Sequence, residues 1–134
     1  DIGPAAAGAV PKLMDLVRKE GGDVSRAASD ALGAMGKAAV EPLTKAVIGG
    51  TPEVRLRALN ALIQIGEGAA GSVHALAECL RDQDERIRFN AARALEKLGS
   101  QAAPAGAALT RALQDEDEDV RYWAAEALRR IGGQ

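Results

Sequence analysis

The apolar residues of this 134-residue chain fall into one frame that is used four times. Its last copy, Asp117 to Gly132, reads DEDVRYWAAEALRRIG and carries Val120, Arg121, Ala124, Ala125, Ala127, Leu128, Ile131 and Gly132. Ile87, Arg88, Ala91, Ala92, Ala94, Leu95, Leu98 and Gly99 repeat it, as do Val54, Arg55, Ala58, Ala61, Leu62, Ile65 and Gly66. Val24, Ala27, Ala28, Ala31, Leu32, Met35 and Gly36 form a looser copy. Apolar positions that recur every three or four residues lie on one face of a helix. A shorter pattern precedes each copy: Leu13 and Val17, Leu43 and Val47, Leu76 and Leu80, Leu109 and Leu113, each pair at i and i+4. The pattern predicts four pairs of helices, a short A helix followed by a longer B helix.

The punctuation agrees with the pattern. Thr51, Asp84 and Asp117 stand three residues before the first apolar residue of their B helices, where a side-chain oxygen can accept the orphan N–H groups of the first turn. Pro52 follows Thr51 at the first helical position, and Gly21 fills the equivalent of Thr51 in the first pair, a weaker cap. Gly3, Gly36, Gly66, Gly99 and Gly132 close the helical segments at intervals of 33, 30, 33 and 33 residues, as expected for left-handed cap positions. The second pair is three residues short, and the loss falls before Leu43. Pro4 to Ala9, Gly68 to Gly71 and Gln101 to Gly106 are therefore expected to carry an extra helical turn that the connection after Gly36 lacks.

Composition narrows the function. Phe89, Tyr122 and Trp123 are the only aromatics, so a core must come from Ala, Leu, Val and Ile. The formal charge of −2 argues against a generally basic nucleic-acid binder. Cys79 is alone, which excludes an internal disulfide, and its place on the apolar side of an A helix predicts a buried, inert thiol. His74 is the single histidine, and no second metal-ligand type accompanies it in a recognisable spacing. No phosphate loop, Ser-His-Asp set or paired acid and base can be assembled. The reading is of a non-enzyme without cofactor. No apolar run reaches the length of a membrane span. A chain beginning at Asp1, not Met, is expected to be a piece of a longer one.

V-R-x-x-A-A-x-A-L-x-x-I-G after an Asp-rich turn resembles HEAT repeats, in particular the short HEAT-like units of phycobilisome lyases, and is similar to the artificial αRep consensus repeats. The resemblance covers the whole chain, as repeats of approximately 4–36, 37–66, 67–99 and 100–132. It implies an all-α, right-handed α–α superhelix of four HEAT-like helix pairs with the B helices inside. It also implies that Arg55, Arg88 and Arg121 form a ladder to aspartates of neighbouring turns, the candidates being Asp82, Asp84, Asp115 and Asp117. Ser25 takes the arginine's place in the first pair.

In HEAT-like families, the places two, three, six and ten residues after the first apolar residue of each B helix resemble those facing the concave side. Here they are Arg26, Ala27, Asp30 and Ala34, then Leu56, Arg57, Asn60 and Gln64, then Phe89, Asn90, Arg93 and Lys97, and finally Tyr122, Trp123, Glu126 and Arg130. All three aromatics fall on these places, and aromatics with Arg are the types enriched at binding hot spots. The expected function is a protein or peptide scaffold whose concave face, mildly basic by this count, suits an acidic segment. The rival for Tyr122 and Trp123 is covering the end of the array, and open repeat ends would allow self-association. A tetrapyrrole-handling subunit, after the bilin lyases and isomerases, and a nucleic-acid-binding module remain as alternatives. The groove is less basic than HEAT-like DNA glycosylases would require, so nucleic acid is disfavoured.

Overall fold

The computed structural model describes residues 8–19 and 22–133. Among these residues it forms eight α-helices, three 3₁₀ segments and no strand. The A helices are α1 (Val10–Lys19), α3 (Val40–Gly49), α5 (Val73–Cys79) and α7 (Gly106–Ala112). The B helices are α2 (Gly22–Met35), α4 (Pro52–Ile65), α6 (Glu85–Leu98) and α8 (Glu118–Ile131). The fold is an all-α solenoid of successive helix pairs.

The expected caps form. Thr51 Oγ1 accepts the Val54 N–H at 3.3 Å, Asp84 Oδ1 the Arg86 N–H at 2.9 Å, and Asp117 Oδ1 those of Asp119 and Val120 at 2.8 and 3.2 Å. Gly3 and Gly21 lie outside the described residues. Gly36, Gly66 and Gly99 adopt φ of 69°, 66° and 62°, a conformation that any Cβ disfavours. Gly132 departs from the expectation. It stays right-handed at φ −76°, because its N–H continues the helix to the Leu128 carbonyl, and the left-handed conformation falls on Gly133 at φ 84°.

The short pair keeps its place in the stack for a simple reason. Its 3₁₀ segment, Gly36–Ala39, has four residues, whereas Gly66–Ser72 and Gly99–Ala105 have seven. The difference is about one turn of a 3₁₀ helix, at roughly three residues per turn. Removing a whole turn returns the following A helix facing the same way. Of the equivalent first segment, residues 4–7 lie outside the described residues.

The core is the frame. Ala58, Ala61, Ala91, Ala92, Leu95, Ala124 and Ala127 are fully buried with Leu43, Leu76 and Leu109 of the A helices. Neighbouring B helices pack along their lengths while A helices barely touch one another, which places the B helices on the inside of the curve. The alanines permit this close approach, and Gly33 goes further: a Cβ there would meet Gln64 of α4 at 2.8 Å. Val24 is an exception to the frame. It is 48% exposed, and Ser25 turns inward in its stead, its hydroxyl donating to the Gly22 carbonyl at 3.0 Å.

Arginine rungs join the later pairs. Arg55 Nη2 meets Asp82 at 2.8 Å and its Nε donates to the Val47 carbonyl at 2.8 Å. Arg88 grips both oxygens of Asp115 at 2.9 and 3.2 Å and donates to the Asp82 and Gln83 carbonyls. Burial disfavours the Arg88 charge, but the hydrogen bonds and charge of Asp115 outweigh this and hold its pKa above arginine's ordinary value. Asp84 and Asp117 serve as caps and not as rung partners, and Arg121 donates to the Asp115 carbonyl. Between the first two pairs both ends of the rung are missing, since Ser25 replaces Arg and Gly49 replaces Asp. Arg57 substitutes, donating to the Val17 carbonyl at 2.8 Å.

Leu95 is fully buried whereas its counterpart Leu128 is only half-buried. Leu95→Ala is expected to cost about 2–5 kcal/mol, as Leu62→Ala is, and Leu128→Ala clearly less. Chemical denaturation of the variants checks this; a Leu95→Ala loss under about 1 kcal/mol would mean that the packing register is wrong.

Candidate functional site

The sequence-selected residues lie along α4, α6 and α8, and contacts between helices lace many of them together. Gln64 Nε2 donates to Asp30 Oδ1 at 2.8 Å across α2 and α4. Arg130 Nη1 donates to the Glu96 carbonyl at 2.7 Å and lies 3.4 Å from its carboxylate. The Arg93 guanidinium sits 5.9 Å from the Phe89 ring centre and 5.4 Å from that of Trp123, within cation–π range of both. Tyr122 meets Trp123 edge-on at 5.1 Å. Glu126 pairs with Arg129 on its own helix, and Asn90 Nδ2 donates to the Arg86 carbonyl.

These contacts bear on two expectations. Phe89 and Trp123 are half-buried against the core, so they serve packing as well as surface, whereas Tyr122 is 56% exposed. Trp123 faces back to Arg93 of α6 and extends the inner surface across two helices. Of the groove cations, Arg57 and Arg93 are oriented by the Val17 carbonyl and by two aromatic rings and keep their charge, whereas Arg130 also has the Glu96 carboxylate at 3.4 Å to offset its own. Lys97, Asn60 and Tyr122 make no side-chain hydrogen bond among the described residues and remain exposed.

This face carries a cleft of about 520 Å³ lined by Leu56, Asn60, Glu85, Arg86, Phe89, Asn90, Asp117 and Asp119. A second cleft of about 280 Å³ shares Leu56 and Asn60 with it and reaches Ser25, Arg26 and Ser29 on α2. The two make one groove across the first turns of four B helices. Leu56, Asn60, Phe89 and Asn90 were selected from sequence; Glu85, Arg86, Asp117 and Asp119 were not, Asp117 having been read as a helix cap. A signal existed: Glu85 and Arg86 precede Phe89 and Asn90 by four residues and so share their helix face.

The charges of the cleft are uneven. Arg86 is clasped by Asp84 at 3.1 and 2.8 Å, and this pair holds the Asp84 carboxyl below its usual range. A hydrogen bond to Asp117 and repulsion by its charge push the Glu85 carboxyl above the usual range. That hydrogen bond from Glu85, with the Val120 and Asp119 N–H groups, holds Asp117 below its own. Two carboxylates thus crowd one rim.

Elsewhere the chemistry is quiet. Cys79 is buried, and burial pushes its thiol pKa up although Arg55 at 3.8 Å pulls partly against it. His74 lies exposed on α5. Among the described residues no group of three or more His, Cys, Asp or Glu is placed to hold a metal, and no helix is long and apolar enough to cross a membrane.

The raised Glu85 pKa fixes a sign. Its contribution to stability is fully present below the ordinary glutamate range and is lost as pH rises through the raised value. Glu85→Gln is therefore expected to raise the thermal midpoint near neutral pH and to bring little gain at pH 3 or below, where Glu85 is already protonated. Melting curves at the two pH values check this, and an unchanged or lowered midpoint at neutral pH would contradict the crowding.

The fold recurs among solved structures. The crystal structure of an engineered protein matches 96% of this chain and 64% of its own at 26% identity, with a TM-score of 0.74. The phycocyanin lyase complex of CpcE and CpcF from Nostoc sp. PCC7120 matches 94% of this chain and 79% of its own at 21% identity, TM-score 0.79. A designed armadillo repeat protein in complex with the peptide (KR)4 matches 92% and 64% at 23% identity, TM-score 0.71. The chain thus spans just under two thirds of the engineered and the armadillo protein, and at the two lower identities the likeness is one of fold. A search of curated protein sequences finds no match. The family model for HEAT repeats matches residues 40–129, more than half of the chain. With its helix pairs, capping glycines and arginine rungs, the chain belongs to the HEAT-repeat family.

Proposed function

We propose that this chain is a non-catalytic recognition module that holds a peptide segment of a protein partner along the inner face of α2, α4, α6 and α8. The observation that carries the reading is the continuous groove, with Leu56 and Phe89 as its apolar floor and Asn60 on the wall common to both clefts. The larger cleft falls within the range of about 300–1,000 Å³ usual for binding pockets. Tyr122, Trp123 and Phe89 supply large, stiff side chains that lose little rotamer entropy on contact. The designed armadillo protein that holds (KR)4 illustrates that a solenoid of this fold can take a peptide. An acidic partner draws less support at the larger cleft than the sequence gave it, since Glu85, Asp117 and Asp119 line it with one cation, Arg86, that Asp84 already pairs. No side-chain arrangement in the groove favours a bilin or nucleic acid over a peptide.

Selection of a random peptide library on the purified chain is expected to enrich sequences that Phe89→Ala weakens by about tenfold or more, roughly 1.4 kcal/mol. Asn60→Ala, on an exposed position, should weaken them without changing the thermal midpoint. Peptides bound with unchanged affinity by both variants would refute the groove.

A further inference from the structure

We propose that the larger cleft is a subsite for a basic side chain of the partner, Lys or Arg. Its aliphatic stem would lie on Leu56 and Phe89, and its charged head among the carboxylates of Glu85, Asp117 and Asp119. The inference rests on the groove reading and adds to it the chemistry of one partner residue.

The floor and the rim of the cleft differ in kind. Leu56 and Phe89 are half-buried apolar groups that face the cleft from adjacent B helices. A long basic side chain covers such a floor with methylene groups and keeps its charge at the rim. At the rim, Arg86 is neutralised by Asp84 in a two-point pair, so its charge is not available to an incoming anion. The positive ends of α6 and α8 open here and would attract an anion, but Asp84 and Asp117 already occupy both caps. Glu85, Asp117 and Asp119 face the cleft against a single lining cation, Arg86, which Asp84 already pairs, and the buried Arg88 offsets the charges of Glu85 and Asp117 only in part. Arg93, farther along α6, is turned to Phe89 and Trp123.

An arriving ammonium or guanidinium would relieve the repulsion between Glu85 and Asp117, whereas an acidic side chain would add to it. Beside the subsite, the free amide of Asn60 offers both a donor and an acceptor to the main chain of the bound segment. The local charge is thus opposite to the basic groove that a count of inner-face residues suggests.

The probe is the side chain itself. Amide NMR spectra of the whole chain are titrated with N-acetyl-arginine amide, and in parallel with N-acetyl-glutamate amide. Saturable shifts are expected with the arginine probe only, at residues 56–60, 85–90 and 117–119. Glu85→Gln with Asp119→Asn, which leaves the Asp117 cap intact, should weaken that binding about fivefold or more. Binding of the glutamate probe at these residues, scattered shifts without saturation, or indifference to the double substitution would each overturn the subsite. Failure of the subsite is distinct from failure of the groove: selected peptides that lack basic residues yet depend on Phe89 would remove the former and leave the latter.

Discussion

Arg88 is only 9% exposed and spends its guanidinium on one aspartate of the next helix pair and two carbonyls of its own turn. A buried ion pair repays its desolvation only with good geometry and full hydrogen bonding, and this one has both. The rung does what apolar contact does not: an alanine-rich interface can slide by a turn with little change in buried area, but Arg88 has one Asp115 to meet. Arg55 and Asp82 repeat the arrangement one pair earlier. Where the rung is missing at both ends, Arg57 reaches back to the Val17 carbonyl, and Ser29 donates to the Arg57 carbonyl at 2.8 Å. The inner surface inherits its shape from these ties.

That constraint explains how an irregular array keeps a continuous face. Loss of one 3₁₀ turn after Gly36 shortens that connection by a whole turn, and α4 packs on α6 as α6 does on α8. Leu56, Phe89 and the rim of α8 then line one cleft although they come from three different helices. Capping residues acquire a second role in the process. Asp117 holds the first turn of α8 and also brings its charge beside Glu85, so a local stability device shapes the electrostatics of the groove.

Much of the fold is legible in the sequence because its determinants are local. The frame of Val54 to Gly66, the caps Thr51, Asp84 and Asp117, and the deletion of one turn can each be read from residues close in the chain. The rung of Arg55 and Arg88 to aspartates of neighbouring turns follows from the family resemblance. What escapes is pairing. Arg57, Arg93 and Arg130 look like free groove cations until the structure shows a carbonyl, two aromatic rings and Glu96 taking them up. Val24 fits the frame as well as Val54 does, yet Ser25 takes the inward place, because helix rotation at the first pair depends on contacts that periodicity does not encode. Glu85 and Asp119 have an immediate explanation as helix-start acids, which hid their position on the cleft.

The central claim is that a buried rung, and not alanine packing alone, sets the register of neighbouring pairs and so the groove. A double-mutant cycle on Arg88 and Asp115, each replaced by Ala singly and together, measures it through the free energy of unfolding. The account predicts a coupling energy of about 1.5–3 kcal/mol. Coupling below about 0.5 kcal/mol, the range of independent sites, would mean that the rung merely follows a register fixed elsewhere.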